Sequence, residues 1–272
     1  MSGTAIPYKA SAALTEHDLT MPRRKRRSIA VSLSYRLTRL ARAVGLETAA
    51  LRFLLFASWI FWRLAYEISA SRIGPEFENA TRGISVELLR RHIPAGAVVL
   101  DFGCGAGRLT RMAAPFSARV YGADRSAANV ETARRAGVPE NVEYVCADAG
   151  EVLAAREYDV VLAVHVVEHI DDVDALLQTM ARQAKRIIIE VPNFEAEPLS
   201  SVRLALGTPF YFDADHVREY TPAILREQLE RNGLRVVEEE IRGATIVAVA
   251  GRAHDADLAR SREMTRSGQA AK

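Results

Sequence analysis

One stretch constrains this chain more than any other: Asp101-Phe102-Gly103-Cys104-Gly105-Ala106-Gly107. The apolar run Val98-Val99-Leu100 leads into it, and Arg108-Leu109-Thr110 opens a helix-like pattern after it. This reads as a buried strand, a tight turn and a helix N-terminus. Glycines allow positive φ and let a ligand approach the main chain closely. The first turn of the helix offers N–H groups without intrahelical partners, which suits a negatively charged group. Spacing removes two familiar loops of this kind. A dinucleotide fingerprint, G-x-G-x-x-G, would need glycine where Arg108 or Thr110 stands, and a Walker-type loop would need Gly-Lys-Ser/Thr.

Downstream, strand and helix patterns alternate, as expected for a parallel sheet covered on both faces. Ala118 to Gly122 reads as a second strand ending at Ala123-Asp124. Asn141 to Ala149 reads as a third strand running into an acidic loop at Asp148. Tyr158 to Val164 reads as a fourth, and a helix over Asp171 to Lys185 precedes a fifth, Arg186 to Val191, closed by Pro192-Asn193. Pro222 to Asn232 reads as the last helix, capped by Gly233. Leu234 to Ile241 and Ala244 to Ala250 read as a hairpin across Arg242-Gly243. An acid at the tip of the second strand, about 20 residues past the glycine loop, is placed to accept ribose hydroxyls. Asp124 fits that place, and its bland alternative is to cap the helix from Ser126 onward.

With its acid-x-G-x-G-x-G loop, the sequence resembles the class I methyltransferases that use S-adenosylmethionine. The segment Val164-His165-Val166-Val167-Glu168-His169 and the segment Asp213-Ala214-Asp215-His216-Val217-Arg218-Glu219-Tyr220-Thr221 are similar to those of ubiquinone-pathway O-methyltransferases. The resemblance covers about residues 76–252. It implies an α/β, Rossmann-like, seven-stranded sheet, mostly parallel with a C-terminal antiparallel hairpin. It also implies S-adenosylmethionine as cofactor. The methionine end would lie on Asp101, Phe102 and the loop Gly103, Cys104, Gly105 and Gly107. The ribose would meet Asp124 with Arg125 beside it, and the adenine Asp148 and Ala149. His165 would line the methionine pocket through its backbone. A methyl acceptor on oxygen needs to lose a proton, and histidine suits that task. His169, just past the fourth strand, is the first candidate base, and His216 the second.

His165-x-x-Glu168-His169 also spells the H-x-x-E-H of inverted zinc peptidases, but that motif belongs inside a helix and here follows a strand-like run. A divalent ion on His165, Glu168 and His169 is a further alternative. The ubiquinone-pathway enzymes tend to carry Glu where this chain has His165, so no metal is assigned. Two other function classes stay in view. One is a non-catalytic binding or scaffold protein on the same fold, against which the intact acids count. The other is a nucleotide-linked oxidoreductase, which the glycine spacing disfavours. No Asn/Asp-Pro-Pro-Tyr/Phe follows the fourth strand, so an oxygen or carbon of a small or lipid-like molecule is the default acceptor.

Ahead of this domain lies a different kind of sequence. Pro22-Arg23-Arg24-Lys25-Arg26-Arg27 follows an arm, residues 1–21, with no periodicity. The cationic run suits a solvated tail, anionic lipid headgroups, or a nucleic-acid or protein partner. Leu33, Leu37, Leu40 and Val44 recur at helical spacing with Arg36, Arg39 and Arg42 off their face, a basic amphipathic helix stopped near Gly45. Leu51 to Ala65 is apolar all round between Arg52 and Arg63. About ten apolar residues are few for crossing a bilayer, so a lid packed on the catalytic domain or an interfacial anchor is expected ahead of a true span. Ser69 to Pro94 reads as helices framing the substrate entrance. The expected organisation is a helical extension over 1–75, a methyltransferase domain over 76–252 and a disordered tail over 253–272. The hydrophobic share of 49% and charged share of 26% are those of a soluble globular protein, and a net charge of +2 disfavours nucleic acid as the general partner. Cys104 and Cys146 cannot form a disulfide framework. No leader peptide is expected, because no apolar core with a cleavage site promptly follows the basic run. The expectation is a cytoplasmic protein, with attachment to the inner face of the membrane open and oligomeric state unreadable.

Overall fold

The computed structural model describes residues 29–74, 77, 83–211, 213 and 215–252. The arm, the cationic run at 22–27 and the tail at 253–272 lie outside the described residues. The chain divides into two compact units: Met1–Thr81 with Glu197–Phe210, and Arg82–Ala196 with Tyr211–Lys272. The segment 197–210, which the sequence reading counted in the domain over 76–252, clusters with the N-terminal helices.

In the first unit, helix α1 spans Ile29–Ala43 and helix α2 spans Glu47–Ile73. Gly45, at φ 67, makes the turn between them, as its position in the pattern requires. Helix α2 is longer than the Leu51-to-Ala65 reading at both ends, and it absorbs the start of the segment read as separate helices from Ser69. Its extra turns, Glu47–Ala50 and Tyr66–Ile73, contain no proline or glycine to stop them. A helix over Ser200–Leu206, which we label α8, had no counterpart in the sequence reading. It supplies Arg203, whose buried guanidinium donates to the Leu55 carbonyl (2.6 Å), to Ser58 Oγ (3.0 Å) and to Glu197 (3.3 Å). Those bonds hold the Leu55 side of α2.

In the second unit, helix α3 (Val86–His92) leads into strand β1 (Ala97–Phe102), with Ser85 capping α3 through the Leu88 N–H. There follow α4 (Arg108–Ala113), β2 (Ser117–Asp124), α5 (Ala127–Arg135), β3 (Val142–Cys146), α6 (Ala149–Ala154) and β4 (Tyr158–Val164). Then come α7 (Val173–Gln183), β5 (Ala184–Pro192), α9 (Pro222–Arg231), β6 (Leu234–Arg242) and β7 (Thr245–Arg252). The sheet order is β3-β2-β1-β4-β5-β7-β6, with β1 to β5 parallel and β7 antiparallel to both neighbours. The expected seven-stranded mixed sheet is therefore present.

Its central strands read as unbroken apolar runs because both faces are covered. Leu100, Val161, Ala163, Ile187 and Ile189 pack with Leu153, Leu177, Met180, Leu225 and Leu229 from α6, α7 and α9. Val99, Val160, Leu162 and Ile188 pack on the opposite face with Leu88, Leu89, Leu109, Ala113 and Val130 from α3, α4 and α5. The chain moves outward from β1 to β3 and then returns to β4. The helices change faces at that point, which opens a crevice at the carboxyl ends of β1 and β4.

Candidate functional site

Register brings the predicted residues to that crevice. Asp101 pairs with Gly122 and Leu162, and Phe102 with Ala123 and Ala163; Val164 and Glu190 lie side by side at the ends of β4 and β5. The glycine loop is pinned from the β2 side, since the Gly103 and Cys104 N–H groups both donate to the Ala123 carbonyl (2.9 and 3.0 Å). Gly103, Gly105 and Gly107 all have positive φ. At Gly103 a Cβ would meet Val166 Cγ2 at 2.8 Å, and at Gly107 it would strike Tyr144 and Ala133. At Gly105 nothing lies within 4 Å of that position, so the loop presents bare backbone to open space. That is the surface a ligand can approach.

Two carboxylates frame the loop. Asp101 is 2% exposed beneath it and accepts a 2.5 Å hydrogen bond from Thr110 Oγ1. Burial pushes its carboxyl up to about 6, against the pull of Thr110. Asp124, half-buried at the tip of β2, accepts from the Gly105 N–H (2.9 Å) and the Ser126 N–H (2.8 Å). Ser126 caps α5, so Asp124 braces the loop and helix entry without being the cap itself. Arg125 beside it is exposed. Asp148 caps α6, accepting from Gly150 (2.8 Å) and Glu151 (3.4 Å), and Ala149 is buried next to it. Helix α6 begins where the sequence suggested only a loop. Cys104 is buried, and burial with Asp101 and Asp124 nearby pushes its thiol far up, which disqualifies it as a nucleophile.

A second group of residues stands at the ends of β4 and β5. His165 is the one non-glycine residue with positive φ among the described residues, at 52°. That turn swings its ring toward Glu190, with Nε2 3.0 Å from Oε1, while Nδ1 lies 3.3 Å from Glu168 Oε1. Glu190 is fully buried and also accepts the Gly83 and Ile84 N–H groups (2.9 and 2.8 Å). Burial works to raise its carboxyl, but His165 and these two amides prevail and hold it below the ordinary value. The sequence reading missed Glu190. The available signal was an acid inside the run Ile187-Ile188-Ile189-Glu190-Val191, where a buried charge demands partners.

Glu168 is fully buried, and neither carboxylate oxygen has a hydrogen-bond partner. The His169 and His216 rings meet edge to face, 4.7 Å between centroids. His169 Nδ1 lies 3.3 Å from Asp215 Oδ2, and His216 Nδ1 lies 2.8 Å from Glu219 Oε1. For His216 burial opposes the charge, but Glu219 first, then Glu168 and Asp213, raise it above the usual histidine value. The loop bearing His216 is bound to the β4 loop by Val217 N–H to the Glu168 carbonyl (3.0 Å). Arg218 adds bonds to the Ile170 and Asp171 carbonyls (2.8 and 2.7 Å). One ligand atom each from Glu168, His169 and His216 falls within 4.8 Å of the others, a set with the chemistry to hold a divalent cation. That set differs from the alternative weighed in the sequence, because His165 is turned toward Glu190 and His216 takes its place.

A family model described as a methyltransferase domain matches residues 77–239. The chain belongs to the methyltransferase domain family. The glycine loop, its two acids and the sheet order are those of the class I, S-adenosylmethionine-dependent members, and S-adenosylmethionine is the cofactor of this methyltransferase. The chain is similar to a ubiquinone biosynthesis O-methyltransferase of Rhodopseudomonas palustris (strain HaA2), 36% identical over 161 residues, 53% of this chain and 61% of that protein. A second such enzyme, from Sinorhizobium fredii, is 41% identical over 93 residues, 33% of this chain and 38% of its own. The methyltransferase chain thus spans less than two thirds of these curated relatives. Among solved structures it is similar to the DhpI–SAH complex, with a TM-score of 0.52, 21% identity, and coverage of 71% of this chain and 94% of that one. This last likeness is one of fold.

Proposed function

We propose that this methyltransferase methylates a hydroxyl oxygen on a small or lipid-like acceptor. The observation supporting this reading most strongly is the pairing of His169 and His216 over the buried Glu168 at the carboxyl end of β4. The cofactor, when bound, supplies a methyl group on a positively charged sulfur. Asp101 and the bare backbone at Gly105 suit its methionine portion, Asp124 its ribose, and Asp148 with Ala149 its adenine. The ordering of these groups by rigid strand ends is what positions the reactants, an effect that can be worth about 7–11 kcal/mol.

His169 is the candidate general base, taking the acceptor's hydroxyl proton. Glu168 favours the resulting imidazolium electrostatically. His216, held toward its charged form by Glu219, packs edge to face on the His169 ring and is less available as a base because it tends already to carry its proton. The similar ubiquinone biosynthesis enzymes are O-methyltransferases, which supports oxygen as the acceptor atom.

The test begins with calorimetric titration of S-adenosylhomocysteine into the parent and Asp124→Ala. Binding by the parent and its loss in the variant support the cofactor site. Quinols, phenols and lipids are then screened as acceptors, with His169→Ala beside the parent. Turnover that collapses while cofactor affinity holds supports the base; unchanged turnover with an accepted substrate removes His169 from the mechanism.

A further inference from the structure

Among the described residues, the first unit leaves two consecutive helices with apolar faces that nothing described in that unit covers. On α1, Leu33, Leu37 and Leu40, with Val44 just beyond, lie on one face and are all more than half exposed. On α2, Leu55 is 2% exposed and held by Arg203, whereas Phe53 is 69% and Phe61 70% exposed. With Leu54, Leu64 and Ile68 these form a stripe at helical spacing, away from Arg52, Arg63 and Glu67. A soluble helix normally turns such a stripe inward.

Charge says what covers it. Between Arg23 and Arg72 the sequence holds eleven Lys and Arg against two Glu, in a chain whose total is only +2. Both glutamates are already paired, Glu47 with Arg42 (3.2 Å) and Glu67 with Arg63 (2.9 Å). Arg36, Arg39 and Arg52 flank the stripes and are exposed. A symmetric pairing with a second copy would bring two basic surfaces together, whereas an anionic bilayer neutralises them. Helix α2 is by length and composition able to cross a membrane. Its longest run without a charge, however, is Phe53 to Trp62, about 15 Å of helix against a hydrocarbon core of about 30 Å. A helix of that kind lies in the interface, its apolar face in the acyl boundary and its arginines among the headgroups.

We infer that α1 and α2 form a docking surface for the anionic face of a lipid bilayer, lying along it without spanning it. This stands independently of the methyl acceptor.

Both tryptophans of the chain, Trp59 and Trp62, sit on α2, so its environment can be read from intrinsic emission. The full chain is mixed with vesicles of equal parts phosphatidylcholine and phosphatidylglycerol, or of phosphatidylcholine alone. The expected result is sedimentation with the anionic vesicles, a blue shift of emission, quenching by brominated lipid and weakening by salt. Phe61→Glu with Leu64→Glu should cut binding roughly tenfold or more. Circular dichroism and a thermal melt check that this variant folds. Should it not, Arg36→Glu with Arg39→Glu, on exposed side chains, carries the test through the charge. Three outcomes overturn the inference. One is no binding to either vesicle. Another is a dimer in light scattering that Phe61→Glu dissolves. The third is equal, alkali-resistant insertion into both vesicles, which would mean a span.

Discussion

Asp101 beneath the glycine loop makes a sharp thermodynamic prediction. Its carboxyl ionises near 3.8 in an unfolded chain and at about 6 in the fold, because burial outweighs the Thr110 hydrogen bond. The folded state therefore binds the proton more tightly than the unfolded state does. Sign follows from linkage: stability falls as pH rises through the window from 3.8 to about 6, and the loss is complete above it. A difference of about two pKa units corresponds to about 3 kcal/mol. Asp101→Asn keeps an acceptor for Thr110 and cannot ionise. Its constant packing cost cancels when variant and parent are compared at two pH values. Urea denaturation of both at about pH 4 and about pH 7.5 should show the variant gaining about 2–3 kcal/mol on the parent across that range. The same variant should bind S-adenosylhomocysteine more weakly. A gap between the two proteins that stays flat with pH would refute the reasoning, since Asp101 would then ionise as it does in the unfolded chain.

Three further outcomes follow from other contacts. His216 is held above its usual value by Glu219, so its contribution to stability is present below about pH 6.5 and is lost as pH rises through the folded value. Glu219→Gln should accordingly cost more stability at acid than at alkaline pH by denaturation, and an equal cost at both would count against the pairing. Iodoacetamide should label one thiol, the exposed Cys146, in the native protein, and Cys104 only on unfolding; mass spectrometry of digested samples decides this. Arg203→Met removes a buried guanidinium from Leu55, Ser58 and Glu197, and should destabilise the helical unit by about 2–4 kcal/mol. Tryptophan emission during urea unfolding reads this loss directly, and an unmoved midpoint would show that the contacts contribute nothing.

The catalytic fold was legible wherever a local pattern carried the constraint. Ile187 to Ile189 is apolar because both faces of β5 are covered, and the glycine alternation marks a turn that side chains cannot make. Asp124 could be placed beside that loop because the tip of β2 has a fixed distance from it. Glu190 escaped because its partners, Gly83 and Ile84, are more than a hundred residues away and no local pattern encodes them. The joining of His216 to His169 depends on hydrogen bonds between two loops, also invisible in spacing. Helix α2 was drawn too short because its ends, rich in Ala, Ser and Glu, lack the aromatic density of its middle. Helix α8 is held by a single buried arginine, a tertiary effect that seven residues cannot announce.

The Glu190 carboxylate has a consequence for how the site can be watched. It holds the main-chain amides of Gly83 and Ile84 on one side and the His165 ring on the other. An event that draws His165 away, such as a ligand displacing its ring, changes the charge those amide protons feel and the strength with which they are held. Their exchange with deuterated water then becomes a clock for the strand end, readable at a segment with no reactive group of its own.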